Sequence, residues 1–487
     1  MENPKLIKYL DEWLEEVTIS EIQQKLDCGE LTSKELVLMY LHRISRFDKD
    51  LHSILEVNPD ALQIAEALDV ERKETGKRSK LHGIPILIKD NIDTFDKMHT
   101  SAGSLALKNS IALKDSFVAE QLRKAGAVIL GKTNMTEWAN FMAIGMKSGY
   151  SSRGGQVLNP YGLGKFDVGG SSSGSGAAIA ANFAAAAIGT ETSGSILNPS
   201  CQNSLVGIKP TVGLISRRGI IPIAHTQDTA GPMARTVEDA AILLNALCGK
   251  DELDPITGTN PFSDFDFTEF LKKDGLKGKR IGIALDGFME LLSKEKQKVV
   301  AAALEVLKSS GAEVIEQIEI PAAKAEWKYD VLTYEFKSDL NLYLNGLHPS
   351  IPVRTLADLI EFNNKNEENM LKYGQSVLLA SEKTSGSLTE AVYIEALEFD
   401  LYHSTMQGID FALETYDLDT IVFPSDEGSH ISAKAGYPTI AVPAGYTSEG
   451  EPVGITFAGT AYSEPLLIQI AYAFEQMTGY RKPPVIE

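Results

Sequence analysis

The segment Gly169-Gly170-Ser171-Ser172-Ser173-Gly174-Ser175-Gly176, followed after a run of small residues by Gly189-Thr190-Glu191-Thr192-Ser193-Gly194-Ser195, decides how the chain is read. Glycine tolerates positive φ and lets backbone approach closely, so both clusters are expected as tight turns exposing N–H groups. The Ala177–Ala187 run between them is small and helix-favouring, and is expected as a buried helix. Its N-terminus would aim free amides and a positive dipole end at the first serine cluster.

Several readings of this segment compete. A phosphate-binding loop needs G-x-x-x-x-G-K-[ST], and no lysine follows these glycines. Gly170-Ser171-Ser172-Ser173-Gly174 formally matches the G-x-S-x-G nucleophile elbow, with Asp228 and His430 as nominal partners, but nothing in the pattern marks those two. A flexible linker would not lead into an apolar run. Taken alone, Ser171 and Ser195 read as turn residues and Lys89 as a solvated or salt-bridged charge at a strand end.

Taken together, the blocks resemble the amidase signature family. Gly169-Gly170-Ser171-Ser172 is similar to its G-G-S-S turn, and Gly189 to Ile196 to its G-T-[DE]-x-x-G-S-I element. Gly207-Ile208-Lys209-Pro210-Thr211, Gly231-Pro232-Met233-Ala234-Arg235-Thr236 and Gly83-Ile84-Pro85-Ile86-Leu87-Ile88-Lys89-Asp90-Asn91 resemble three further blocks in the family's order, and the serines stand 24 residues apart as in the family. The likeness is strong over about 80–240, moderate over 420–485 and weak elsewhere. It implies an α/β/α sandwich around a large mixed β-sheet and a Ser–cis-Ser–Lys triad. In that triad Ser195 is the nucleophile, Ser171 relays protons across a cis bond from Gly170, and Lys89 is the general base. The oxyanion hole it implies is the backbone N–H groups of Thr192, Ser193, Gly194 and Ser195. A lysine can act as base only when burial or nearby positive charge lowers its pKa, which suits the apolar strand before Lys89. Under this reading His225 and His430 are structural, Asp228 anchors a loop and Cys201 is a packed small residue.

Two departures bear on substrate. Where many members carry glycine and arginine, this chain has Ser193 and Leu197, so Leu197 and Asn198 are expected to reshape the pocket floor. The blocks Thr190-Glu191-Thr192, Arg153-Gly154-Gly155-Gln156 and His225 to Ala230 look most like bacterial peptide-amidase members. We therefore expect hydrolysis of a small-molecule or peptide amide to the acid plus ammonia or amine through a serine acyl-enzyme. The alternatives are the glutaminase component of a tRNA-dependent amidotransferase and a catalytically silent binding subunit.

Outside these blocks, the first 80 residues read as a helical arm. Thr18 with Glu21 and Thr32 with Glu35 fit capping boxes, Gly29 fits a helix stop between them, and Leu36, Met39, Tyr40 and Ile44 follow helical spacing. From Gly83, β-prone runs at 84–88, 127–130, 280–284, 313–315, 420–423 and 439–442 alternate with helical stretches, an α/β pattern. We expect a single amidase domain over 81–487, with a mostly helical substrate-covering region at about 322–411. A net charge of -20 argues against nucleic-acid binding. Three scattered cysteines, Cys28, Cys201 and Cys248, argue against a disulfide framework or zinc site and suit a reducing compartment. The start Met1-Glu2-Asn3-Pro4-Lys5 has no export pattern, and Ala177–Ile188 is shorter than the roughly 20 residues a membrane span needs. A cytoplasmic enzyme with no cofactor, metal or membrane partner is expected.

Overall fold

Eleven strands build one mixed sheet. In chain order they are β1 (Ile54–Val57), β2 (Pro85–Lys89), β3 (Val128–Thr133), β4 (Ala186–Glu191), β5 (Val206–Lys209), β6 (Thr229–Ala234), β7 (Arg280–Ile283), β8 (Glu313–Ile315), β9 (Thr420–Pro424), β10 (Thr439–Tyr446) and β11 (Pro452–Ala458). The spatial order is β1-β3-β2-β4-β6-β5-β10-β11-β9-β7-β8. β2 runs parallel to both β3 and β4, and β9, β7 and β8 form a second parallel group, while the strands between pair antiparallel. The computed structural model describes residues 3–262 and 265–486.

Burial explains the strand sequences. Every residue of β2, β3 and β4 is buried, which suits parallel strands covered on both faces. β2 and β4 run parallel and end at Lys89 and Glu191 on the same edge of the sheet, and open α/β sheets bind ligands beyond the strands' carboxyl ends.

The N-terminal helices form as their sequence signals require. Both capping boxes close reciprocally, at Thr18/Glu21 and Thr32/Glu35, and Gly29 has φ 72° after the helix Ile19–Asp27. The helical expectation for residues 1–80 needs one correction: β1 lies within it and pairs antiparallel with β3 as the sheet's edge. The helix Ser33–Leu51 ends at left-handed His52, and Asp48 then holds the N–H groups of Ser53 (2.8 Å) and Ile54 (3.1 Å), steering the chain into the sheet.

A second correction concerns the alanine run. The helix spans only Ser173–Ala180, and Ala186–Ile188 belong to β4. Left-handed Asn182 (φ 61°) turns the chain between them, its side-chain oxygen accepting from the Glu16 N–H at 2.9 Å. The helix packs against the chain around β3 so closely that a Cβ on Gly174 would lie 2.3 Å from the Asn134 carbonyl oxygen and 2.4 Å from that of Ser53.

Between residues 322 and 411 the chain is mostly helical, with its longest helices at Asp330–Asn345, Leu356–Lys365 and Ala391–Ser404. No helix among the described residues is long and apolar enough to cross a membrane.

Candidate active site

Lys89 ends β2 with no exposed surface. Its Nζ lies 2.8 Å from Ser171 Oγ, 3.1 Å from the Thr190 carbonyl oxygen and 3.0 Å from Thr190 Oγ1. Burial lowers its pKa to about 7, against the upward pull of Glu191 and Asp228. A neutral amine has two N–H donors and one lone pair. Two of the three neighbours, the Thr190 oxygens, accept those donors, which leaves the lone pair for the Ser171 hydroxyl proton.

Ser171 is itself buried, and its peptide bond from Gly170 is cis. Its carbonyl accepts from the Thr136 N–H at 3.0 Å, while the Gly170 N–H donates to Asn198 Oδ1 at 2.9 Å. The Ser172 N–H donates to the Ser195 carbonyl at 3.1 Å, tying the two glycine–serine turns together. Ser172 Oγ is turned inward onto the Thr190 carbonyl at 3.1 Å and Ser172 is wholly buried, so the elbow reading has no exposed nucleophile there.

Ser195 is 7% exposed and lines a cavity of about 440 Å³ with Gly170, Thr192 and Ser193. Among the described residues no hydrogen bond joins Ser195 Oγ to Ser171 Oγ; such contacts often close only with substrate bound. The N–H groups of Thr192, Ser193 and Ser195 meet no protein acceptor among the described residues. Gly194 differs from the sequence expectation. Its N–H donates to Glu191 Oε1 at 2.8 Å, so it is committed away from the cavity.

Glu191 carries a role that its motif position did not disclose. Its carboxylate takes three backbone N–H groups, Gly194 through Oε1 and Ile196 (2.7 Å) and Leu197 (3.0 Å) through Oε2, and so fixes the turn that presents Ser195. Burial pushes its pKa up, and buried Lys209 together with those donors pulls it back. An acid four residues before a serine in a glycine turn, with no basic neighbour in sequence, was the available signal.

Asp228 anchors a loop, as its position suggested. Its carboxylate accepts from Thr192 Oγ1 (2.5 Å) and from the N–H groups of Ile223 (2.8 Å) and Ala224 (3.0 Å), and burial raises its pKa to about 7. Gln227 Nε2 adds a bond to the Thr192 carbonyl at 3.1 Å.

The expected pocket floor is not where the sequence placed it. Leu197 is fully buried against Cys201 and Ala441, and Asn198 bridges Gly170 to Asp426 (3.3 Å) behind the turn. Arg153 does not line the cavity either; it is paired with Glu56 and Asp90. The cavity wall comes instead from Phe141, Ile223, Trp327 and Leu332, with His430, Lys328 and Lys434 among the polar lining. His430 makes an edge contact with Trp327, and burial lowers its pKa. Lys434 is paired with Asp400 and sits 5.4 Å from the Trp327 ring.

Groups so placed can take a proton from a hydroxyl and hold a developing oxyanion, the two requirements of a hydrolase whose first nucleophile is a side-chain hydroxyl. Comparison with known proteins gives the kind of hydrolase. The family model described as Amidase matches residues 35–468. A probable amidase of Arabidopsis thaliana is 44% identical over 97% of this chain and 92% of its own length. The X-ray structure of native peptide amidase from Stenotrophomonas maltophilia superposes with a TM-score of 0.93 at 43% identity, covering 98% of this chain and 99% of that one. A glutamyl-tRNA(Gln) amidotransferase component from Thermosynechococcus vestitus is 32% identical over 95% of this chain and 98% of its own length. The chain belongs to the amidase family. It is an enzyme that hydrolyses amides, built on the mixed-sheet α/β fold of peptide amidase.

Proposed function

We propose that this enzyme cleaves a neutral carboxylic amide, with a C-terminal peptide amide as its preferred form, through an ester-linked acyl-enzyme on Ser195. The observation that carries the mechanism is the buried Lys89 Nζ, 2.8 Å from Ser171 Oγ with a pKa of about 7. Neutral Lys89 takes the Ser171 proton as Ser171 takes that of Ser195, and Ser195 Oγ attacks the amide carbon. The oxyanion forms against the free N–H groups of Thr192, Ser193 and Ser195, and the proton returns through Ser171 to the leaving nitrogen. Water, activated by the same relay, then releases the acid. The proton given to the leaving nitrogen is replaced by one taken from water, so the cycle closes on the triad and water alone.

The substrate reading rests on the cavity. Its wall of Phe141, Ile223, Trp327 and Leu332 suits an apolar group beside the scissile amide. The likeness to peptide amidase at 43% identity supports a peptide-derived amide. The amidase domain takes in β1 as well as the chain from residue 81 on, with the helices before β1 packed on it and 322–411 as the substrate cover, which supplies Trp327 and Leu332 to the cavity. We place the enzyme in the cytoplasm, in line with its unpaired cysteines.

A second reading, the glutaminase component of an amidotransferase, draws on the 32% identity to the Thermosynechococcus vestitus protein over nearly the whole chain. The test is kcat/KM of the purified chain for an amidated dipeptide, a simple aliphatic amide and glutamine. The amidated dipeptide is expected to lead. Preference for glutamine, stimulated by the other components of an amidotransferase, would install the second reading instead.

A further inference from the structure

One loop, Ile223 to Asp228, grips two parts of the site at once. On its inner side Asp228 and Gln227 hold Thr192 of the nucleophile turn, and Ile223 and Gln227 face the cavity. On its outer side it is fastened to the helix Asp330–Asn345. The His225 N–H and Nδ1 bond Asp339 Oδ2 at 3.0 and 2.8 Å, and the Thr226 N–H and Oγ1 donate to Glu335 Oε2 at 3.1 and 2.9 Å. The Tyr393 hydroxyl donates to Glu335 Oε1 at 2.9 Å, drawing the helix Ala391–Ser404 into the same cluster. Leu332, and Trp327 just before the helix, form the cavity's outer wall.

We infer that His225 and Thr226 are positioning residues whose clasp on Glu335 and Asp339 sets where the outer wall stands, and hence how well amides that reach that wall bind. The inference rests on the amidase reading above and concerns its substrate range. An amide small enough to stay beside Ser195 does not touch Trp327 or Leu332 and is indifferent to the clasp. A peptide amide fills the cavity and depends on it.

The clasp carries a pH dependence of definite sign. His225 faces Asp339 and Glu335 on the helix and Arg217 on its other side, whose guanidinium donates to the His225 carbonyl. Arg217 is itself held by Asp254, and Asp339 raises the His225 pKa above the usual imidazole value. When rising pH removes the imidazolium charge, Glu335 loses the cation beside it, Asp339 keeps only the more distant Arg217, and the outer wall loosens.

The experiment measures KM and kcat for an amidated dipeptide with a bulky C-terminal side chain and for propionamide, in wild type, Asp339→Asn and Thr226→Val. The expected result is a KM for the dipeptide amide raised about 5- to 20-fold in each variant, with both constants for propionamide within twofold of wild type. In wild type the ratio of the two KM values should climb as pH rises through the His225 titration, and this climb should vanish in Asp339→Asn. Equal losses on both substrates, or a pH-independent ratio in wild type, would overturn the inference. The wild-type pH series stands even if a variant does not fold. Absence of turnover on either amide by wild type would instead count against the amidase substrate reading, so the two failures are separable.

Discussion

At the residue scale the proposed chemistry turns on Lys89, a lysine that burial brings to a pKa of about 7. A general base works only when deprotonated, so kcat is expected to rise with pH through about 7 and then level off. A pH–rate profile flat across that range would remove Lys89 from the base role. Lys89→Ala should cut kcat by at least about 100-fold, the usual scale of general-base contributions, with Ser171→Ala comparably severe. His430→Ala should retain the chemical step, although His430 lines the cavity. Glu191→Gln tests the turn. An amide side chain cannot accept all three N–H bonds that the carboxylate does, and losing charge-assisted bonds of this kind costs about 10- to 100-fold in rate if the turn shifts. Wild-type kcat in that variant would show that Glu191 does not position Ser195.

At the element scale, what holds the site is close packing beneath it, and this can be tested by stability. Gly174→Ala places a methyl group against two backbone carbonyls, and overpacking of that kind costs about 1–3 kcal/mol. Thr32→Ala removes one N-cap and should cost about 1 kcal/mol while leaving kcat unchanged. Denaturant midpoints measure both; an unchanged midpoint for Gly174→Ala would mean the helix can move away from Asn134 and Ser53 freely. These elements also mark what could be read from sequence. The capping boxes were legible because side-chain chemistry at fixed spacing satisfies amides that must be satisfied. The division of the Ala177–Ala187 run was not, because alanine favours a helix throughout and gives no periodicity, and only pairing within the sheet makes its end a strand. β1 was missed because four residues, three half-buried and one exposed, between two strong helices carry little signal before the sheet exists. Leu197 was misplaced for a related reason: motif position fixes how near a residue is to Ser195 in the chain, but the helix Leu197–Gln202 turns its side chain away from the cavity.

At the scale of the whole molecule, the site needs segments far apart in sequence: Lys89 and the serine turns from the sheet's carboxyl edge, Phe141 from beyond β3, Trp327 from the start of the helical cover and His430 from beyond β9. The family blocks revealed the first of these and none of the wall: Phe141 and Ile223 stand between the quoted blocks, and Trp327 and Leu332 lie in the part of the chain that least resembles the family. The proposed mechanism uses no metal, and this is open to a direct test. Among the described residues, His225, Glu335 and Asp339 bring three possible ligands together, yet each is engaged in protein hydrogen bonds. Prolonged chelation should leave kcat unchanged; a reversible loss restored by one metal ion would contradict the mechanism. The central claim is that amide cleavage passes through a covalent ester on Ser195, and intact-mass measurement with peptide mapping after fluorophosphonate treatment tests it most directly. The account predicts one adduct per chain, on Ser195, formed in step with loss of amidase activity and absent from Ser195→Ala; an adduct on Ser172, or full inactivation without modification of Ser195, would contradict it.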